Sequence, residues 1–202
     1  MKHAALGFRA HSGWTALVAV SLDLDSPVVL LRGRPHLVNT FSFEFRQPYH
    51  TAERGPPDQA SAFIERVQTE ARSLAYQAIH SAQRELHERG YQLKHCGLLV
   101  ASGKPLPDLT QILASHALIH TADGELFREA LLYASKRCGC EVFRAKEKEL
   151  LERSSQSLGK PPDELIRLLA SLRASFGPPW SQDEKLAALA AWLSLTHRSS
   201  KA

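Results

Sequence analysis

The stretch Ala4-Ala5-Leu6-Gly7-Phe8-Arg9-Ala10-His11-Ser12-Gly13-Trp14-Thr15-Ala16-Leu17-Val18-Ala19-Val20 decides how this chain is read. Two apolar runs, each long enough for a strand, flank His11-Ser12-Gly13, where the glycine supplies the backbone freedom of a tight turn. The expectation is a β-hairpin. Asp25-Ser26-Pro27 then predicts a second turn, and Val28-Val29-Leu30-Leu31 a third strand. Residues 40–57 make an irregular connection, in which the alternation of Phe41, Phe43 and Phe45 predicts a short extra strand. The same connection holds Gln47-Pro48-Tyr49-His50. Pro48 by itself accounts for a turn with a partly buried Tyr49, although such loops are also where binding residues gather.

From Asp58 the period changes. Phe63, Val67, Ala71, Leu74, Ala78, Ala82 and Leu86 recur every three or four residues, which predicts a long amphipathic helix stopped by Gly90. The run Gly97-Leu98-Leu99-Val100-Ala101 is apolar on both sides, as a strand covered by helices would be, and Ser102-Gly103-Lys104-Pro105 ends it. Residues 109–119 and 125–137 read as two helices, with Thr121-Ala122-Asp123-Gly124 as a break between them. A short strand at 141–144, a helix at 146–158 stopped by Gly159 and a helix at 163–176 follow. Ser181-Gln182-Asp183-Glu184 is a capping box opening a last helix with Leu186, Leu189, Ala190 and Leu193 on its core face. Antiparallel strands followed by alternating helices and strands predict an α/β fold, a mixed five-stranded sheet with its first three strands antiparallel and helices on both faces.

Composition narrows the class. A chain of 202 residues, 44% apolar and 23% charged, suits one domain spanning residues 1–202. No stretch has the apolar length to cross a bilayer, and Arg9 and His11 interrupt the first apolar run, so a cytoplasmic protein with no membrane partner is expected. Cys96, Cys138 and Cys140 read as reduced thiols, since three cysteines make no even-numbered framework. The net charge of +4 is thinly spread; its densest cluster, Arg144 to Lys148, is interleaved with Glu147 and Glu149 like a solvated helix face. Nucleic acid and another protein therefore both stay open as partners, and the oligomeric state is not legible.

The order of elements resembles the ribonuclease-H-like superfamily, and within it the RuvC-type Holliday-junction resolvases of bacterial type. Residues 6–15 are similar to that family's opening strand and turn, and residues 182–193 to its closing helix rich in Ala and Leu. The resemblance implies two metal ions held by carboxylates of the first strand, the fourth strand and the last helix. This chain departs from that pattern. Arg9 stands at the first position, Ala101 or Ser102 at the second, and on the last helix Asp183 matches one acid while Leu186 replaces the other. A guanidinium about 4 Å from a divalent ion costs roughly 8 kcal/mol at an effective dielectric of about 20. Two-metal catalysis needs several oxygen ligands, so the expectation is a degenerate, non-nucleolytic site.

The candidate cleft comprises Arg9, His11, Ser12, Ser102, Asp183 and Lys185. Within it an Arg9–Asp183 ion pair can replace the metals, or Asp183 can complement the helix N-terminus while Arg9 is exposed. A second candidate is His116 and His120, one helical turn apart, with Asp123 or Glu125 as oxygen donors to a divalent metal. The same residues with Arg128 would alternatively bind an anion at the N-terminus of the second helix. Ordinary packing explains two histidines equally well, and no cofactor is assigned. Trp14, Trp180 and Trp192 read as packing residues rather than base-stacking platforms. There is no phosphate loop of the Walker type and no nucleophile elbow. Three functional readings follow: a binding domain, a metal-dependent hydrolase rebuilt on His and Asp, and an actin-like nucleotide-binding domain.

Overall fold

The opening hairpin forms as its turn requires. In the computed structural model, which describes residues 1–101 and 105–196, β1 (Lys2–His11) and β2 (Trp14–Asp23) pair antiparallel, with Arg9 opposite Ala16 and His11 opposite Trp14. Gly13 sits at φ +82°, a region its missing side chain makes accessible. β3 (Ser26–Gly33) extends the hairpin antiparallel. The turn before it falls on Leu24 and Asp25, both at positive φ, rather than on Asp25-Ser26-Pro27. Two such residues match the twist of the flanking strands, and Pro27 is free to join β3.

β4 (Tyr91–Val100) pairs parallel with β1, and β5 (Glu141–Lys146) parallel with β4, giving one sheet in the order β3-β2-β1-β4-β5. Strand alternation assigns the two faces. Ala4, Leu6 and Phe8 pack with the long helix α3 (Pro57–Glu88) and with α5 (His116–Arg137). Ala5, Ala16, Val18 and Val20 pack on the opposite face with α6 (Glu147–Leu158), α7 (Pro162–Ser171) and α9 (Gln182–Thr196). The buried stripe of α3 runs through Ala60, Ile64, Val67, Ala71, Ala75, Ile79, Ala82 and Leu86, with Phe63, Leu74 and Ala78 flanking it. Burial of each large apolar side chain stabilises by about 1.5–3 kcal/mol.

Gly7 and Gly97 are register partners on β1 and β4, and together they set the position of α9. A Cβ at Gly7 would lie 1.7 Å from the Ala187 carbonyl oxygen, and one at Gly97 2.2 Å from that of Ala190. The helix backbone therefore rests directly on the sheet. With the sheet on one side and α6 and α7 on the other, every residue from Ala187 to Ser194 is buried, so the helix has no solvent stripe along that stretch.

Several sequence expectations are corrected. Residues 41–45 add no strand: α1 (Phe43–Arg46) and α2 (Pro48–Ala52) occupy the connection, with Phe41 and Phe43 largely exposed and Phe45 packed inward. Gly124 does not break a helix. α4 (Leu109–Leu113) ends at Ala114, and α5 runs unbroken from His116 to Arg137 because Ile119, Ala122, Leu126 and Phe127 continue its buried face. The expected helix over 163–176 divides at Leu172 into α7 and the short α8 (Arg173–Phe176). The turn expected at 102–105 lies, apart from Pro105, outside the described residues. Among the described residues no helix is long and apolar enough to cross a membrane.

Candidate functional site

Two side-chain clusters gather at the end of the sheet where β1, β4 and β5 finish. The first lies on the α9 face. Gly7, Arg9 and His11 project from one side of β1, so a chain that seats α9 on Gly7 brings the first turn of that helix over Arg9. Arg9 grips Glu147, the first residue of α6, with two bonds, Nε to Oε2 at 2.9 Å and Nη2 to Oε1 at 2.8 Å, and its Nη1 donates to Asp183. His11 Nε2 donates to the same Asp183 oxygen at 2.9 Å, and its ring stacks on Trp14 with centroids 4.3 Å apart.

A second arginine closes the group. Arg34, just past β3, donates from Nε to Glu184 Oε1 at 2.7 Å and from Nη2 to the Ser181 hydroxyl at 3.1 Å, with its guanidinium 5.1 Å from the Trp14 ring centroid. The capping box forms as expected: the Ser181 amide donates to Glu184 Oε2 at 2.8 Å, and the Asp183 amide donates to the Ser181 hydroxyl at 3.1 Å. Glu184 is only 2% exposed. Burial alone would push its carboxyl up, but the bonds from Arg34 and Ser181 outweigh it and pull the pKa down to about 2. Asp183 follows the same logic: burial opposes ionisation, the bonds from Arg9 and His11 favour it more, and its pKa falls below the usual range. The pairing with Glu147 holds the Arg9 guanidinium charged still more firmly than usual.

The ion pair anticipated between Arg9 and Asp183 is thus present, together with partners that sequence reading did not place. The interleaved charges of residues 144–148 predict a solvated face for Glu147, whereas the fold turns it onto Arg9. The signal for Glu147 was positional, an acid at the junction of a short strand and the helix that follows it. Arg34 carried no comparable signal, because the segment after β3 reaches the hairpin only through tertiary bonds from Leu37 to Gly13 and from Thr15 to Pro35. Ser12 contributes its carbonyl oxygen to Arg46 Nε at 3.1 Å. Lys185 is half-buried and makes no side-chain hydrogen bond or ion pair among the described residues. Ala101 is exposed at the end of β4, and Ser102 lies outside the described residues.

The second cluster lies on the α3 and α5 face. Arg46 anchors the α1–α2 segment to the hairpin turn and so carries α2 to the same end of the sheet. There His50 of α2 meets His116 and His120, which lie one turn apart on α5. His116 Nε2 and His120 Nε2 are 3.0 Å apart, and the ligand nitrogens of all three rings lie within 4.8 Å of one another. Asp123, one turn beyond His120 and 3% exposed, does not join them as a fourth donor. It accepts instead from His50 Nδ1 at 2.5 Å and from the Tyr49 amide at 2.8 Å. Burial pushes the Asp123 carboxyl up, against the pull of those two donors. The same burial, with the nearby Asp123 charge, raises the Tyr49 hydroxyl.

The anion site expected at a second helix start is overturned along with that start. Glu125 and Arg128 sit in mid-helix, where amides are already bonded, and they pair with each other at 2.9 Å. His50 was missed as a member of the cluster because its partners are about 70 residues away in the chain, though Gln47-Pro48-Tyr49-His50 was singled out as a segment.

No family model matches this sequence, and no curated protein matches it. Solved structures do. Thermus thermophilus RuvC in complex with a Holliday-junction substrate superposes with a TM-score of 0.52 at 9% identity, covering 96% of this chain and 93% of that one. A second Thermus thermophilus RuvC structure gives a TM-score of 0.51 with the same identity and coverage. With its mixed sheet, two helical layers and end-to-end likeness to these structures, the chain has the ribonuclease-H-like fold in the form seen in RuvC.

Proposed function

We propose that this chain is a RuvC-like domain that binds nucleic acid without cutting it. The observation that carries the reading is Arg9, a guanidinium on β1 that occupies both Glu147 and Asp183. Two-metal cleavage requires carboxylates free to bridge cations, and here Glu147, Asp183 and Glu184 are each engaged by an arginine. An ion brought into that group would meet the Arg9 charge before it met a free oxygen.

Charge alone does not select the partner. The cleft beyond β4 and β5 carries Arg144, Lys146 and Arg153 together with Glu125, Glu129 and Glu149. Nucleic acid is favoured by the fold, and branched DNA is the first ligand to test because a RuvC of this fold was solved on a Holliday junction. The expected result is binding to branched DNA that weakens steeply with salt, with no cleavage in Mg²⁺ or Mn²⁺. Binding no stronger than that of an unrelated protein of equal charge would remove nucleic acid and leave a protein partner as the reading. Metal-dependent cleavage lost in Asp183→Asn would overturn the non-nucleolytic assignment. The actin-like alternative predicts a rise in melting temperature with ATP and Mg²⁺, and an unchanged value is expected.

A further inference from the structure

Beyond the binding role, we infer that His50, His116 and His120 form a site for one divalent transition-metal ion of the zinc type, with Asp123 as its positioning residue. Four observations converge on it. The three rings come from two separate elements, α2 and α5, so their meeting is a product of the fold rather than of helical spacing alone. Their ligand nitrogens lie within 4.8 Å of one another. A tetrahedral ion with Zn–N bonds of 2.0–2.1 Å needs its nitrogens about 3.3 Å apart. His116 and His120, at 3.0 Å, already stand near that spacing.

Asp123 supplies the third observation. Its carboxylate accepts a hydrogen bond from the Nδ1–H of His50, which leaves the Nε2 lone pair of that ring as the available metal donor. A buried carboxylate on the far nitrogen of a histidine is the arrangement that orients metal-bound imidazoles and raises their basicity. The Tyr49 amide fixes the other carboxylate oxygen, so the Asp123–His50 pair is rigid at both ends. The fourth observation is exposure. His50 is buried, whereas His116 and His120 are exposed, so an ion held by the three has its remaining coordination position toward solvent. Imidazole donors in this number suit Zn²⁺, Co²⁺, Ni²⁺ or Cu²⁺ and do not suit Mg²⁺ or Ca²⁺, which take oxygen. The site is therefore distinct in chemistry and position from any two-metal centre on the α9 face.

The test uses the full chain without a histidine tag. Zn²⁺ titrated calorimetrically should bind at one equivalent and raise the melting temperature, and Co²⁺ should give the visible absorption of a tetrahedral nitrogen site. His116→Ala and His120→Ala lie at exposed positions, so both variants should fold and lose that binding. His80→Ala, on the exposed side of α3, should retain it. Asp123→Asn should weaken Zn²⁺ by about 10–100-fold while keeping the stoichiometry. The inference is overturned by the absence of stoichiometric Zn²⁺ binding, or by binding that His116→Ala and His120→Ala leave intact.

Discussion

The two clusters share one end of the sheet but differ in how their polar groups are satisfied. In the cluster on the α9 face each of the three acids meets a guanidinium: Glu147 and Asp183 meet Arg9, and Glu184 meets Arg34. On the α5 face three imidazoles turn toward one another, and the single carboxylate stands behind one of them. The first arrangement is electrostatically closed and holds three elements together. The second directs lone pairs at a shared point, which a cation would satisfy better than the rings satisfy one another. One face thus commits its acids to arginines, while three imidazoles gather on the other.

The largest effect should come from breaking the support of the closed cluster. Gly7→Ala puts a methyl group 1.7 Å from the Ala187 oxygen, so α9 has to lift off the sheet, carrying Asp183 and Glu184 away from their partners. A loss of more than about 3 kcal/mol in urea denaturation is expected, at the severe end for overpacking because backbone cannot rotate aside. A loss below about 1 kcal/mol would show that α9 is not seated as described.

Arg9→Ala comes next. It removes the guanidinium that Glu147 and Asp183 share, leaving Asp183 with His11 and the more distant Arg34, and should cost about 1–3 kcal/mol, since partly buried charges then lose part of their compensation. The variant also sharpens the contrast between the faces: it should gain stabilisation by Mn²⁺, which the unaltered chain should lack on this face. An unchanged stability would mean that the network contributes nothing.

Acid sensitivity is a smaller effect. The Glu184 pKa lies near 2 when folded against an ordinary 4.5. Its contribution is therefore complete above about pH 4.5 and is lost as pH falls from there toward 2, because the unfolded state takes up the proton first. Glu184→Gln should lower stability at neutral pH and flatten the acid limb between those values in pH-dependent denaturation. Parallel curves for the two proteins would contradict the pairing with Arg34. Lys185→Ala should be smallest, within about 0.5 kcal/mol, as a half-buried side chain outside the network. A larger loss would place Lys185 inside it.

These contrasts also show what the chain made legible. The hairpin, the long helix and the capped last helix were readable because each is specified by neighbours in sequence: Gly13 at its turn, the repeat ending at Leu86, and Ser181 with Glu184. The α1–α2 segment was misread because Phe41, Phe43 and Phe45 alternate like a strand, yet Phe43–Arg46 turns into a helix and, of the three, Phe45 is the one that packs on the core. Gly124 was misread as a break for a related reason. A glycine's weak helix preference, about 1 kcal/mol, is small beside the burial of Ile119, Ala122, Leu126 and Phe127 around it.

By itself the sequence determined the local elements, the antiparallel opening, and the fact that no acid precedes Asp23, so that β1 brings Arg9 and His11, and no carboxylate, to its end. Only the tertiary structure decided which groups that arginine binds and that His50 joins His116 and His120. Backbone preference and periodicity act over a few residues. The approach of Glu147, Asp183 and Arg34, or of α2 to α5, depends on how closely two glycines let a helix lie on a sheet and on where one arginine anchors a connection.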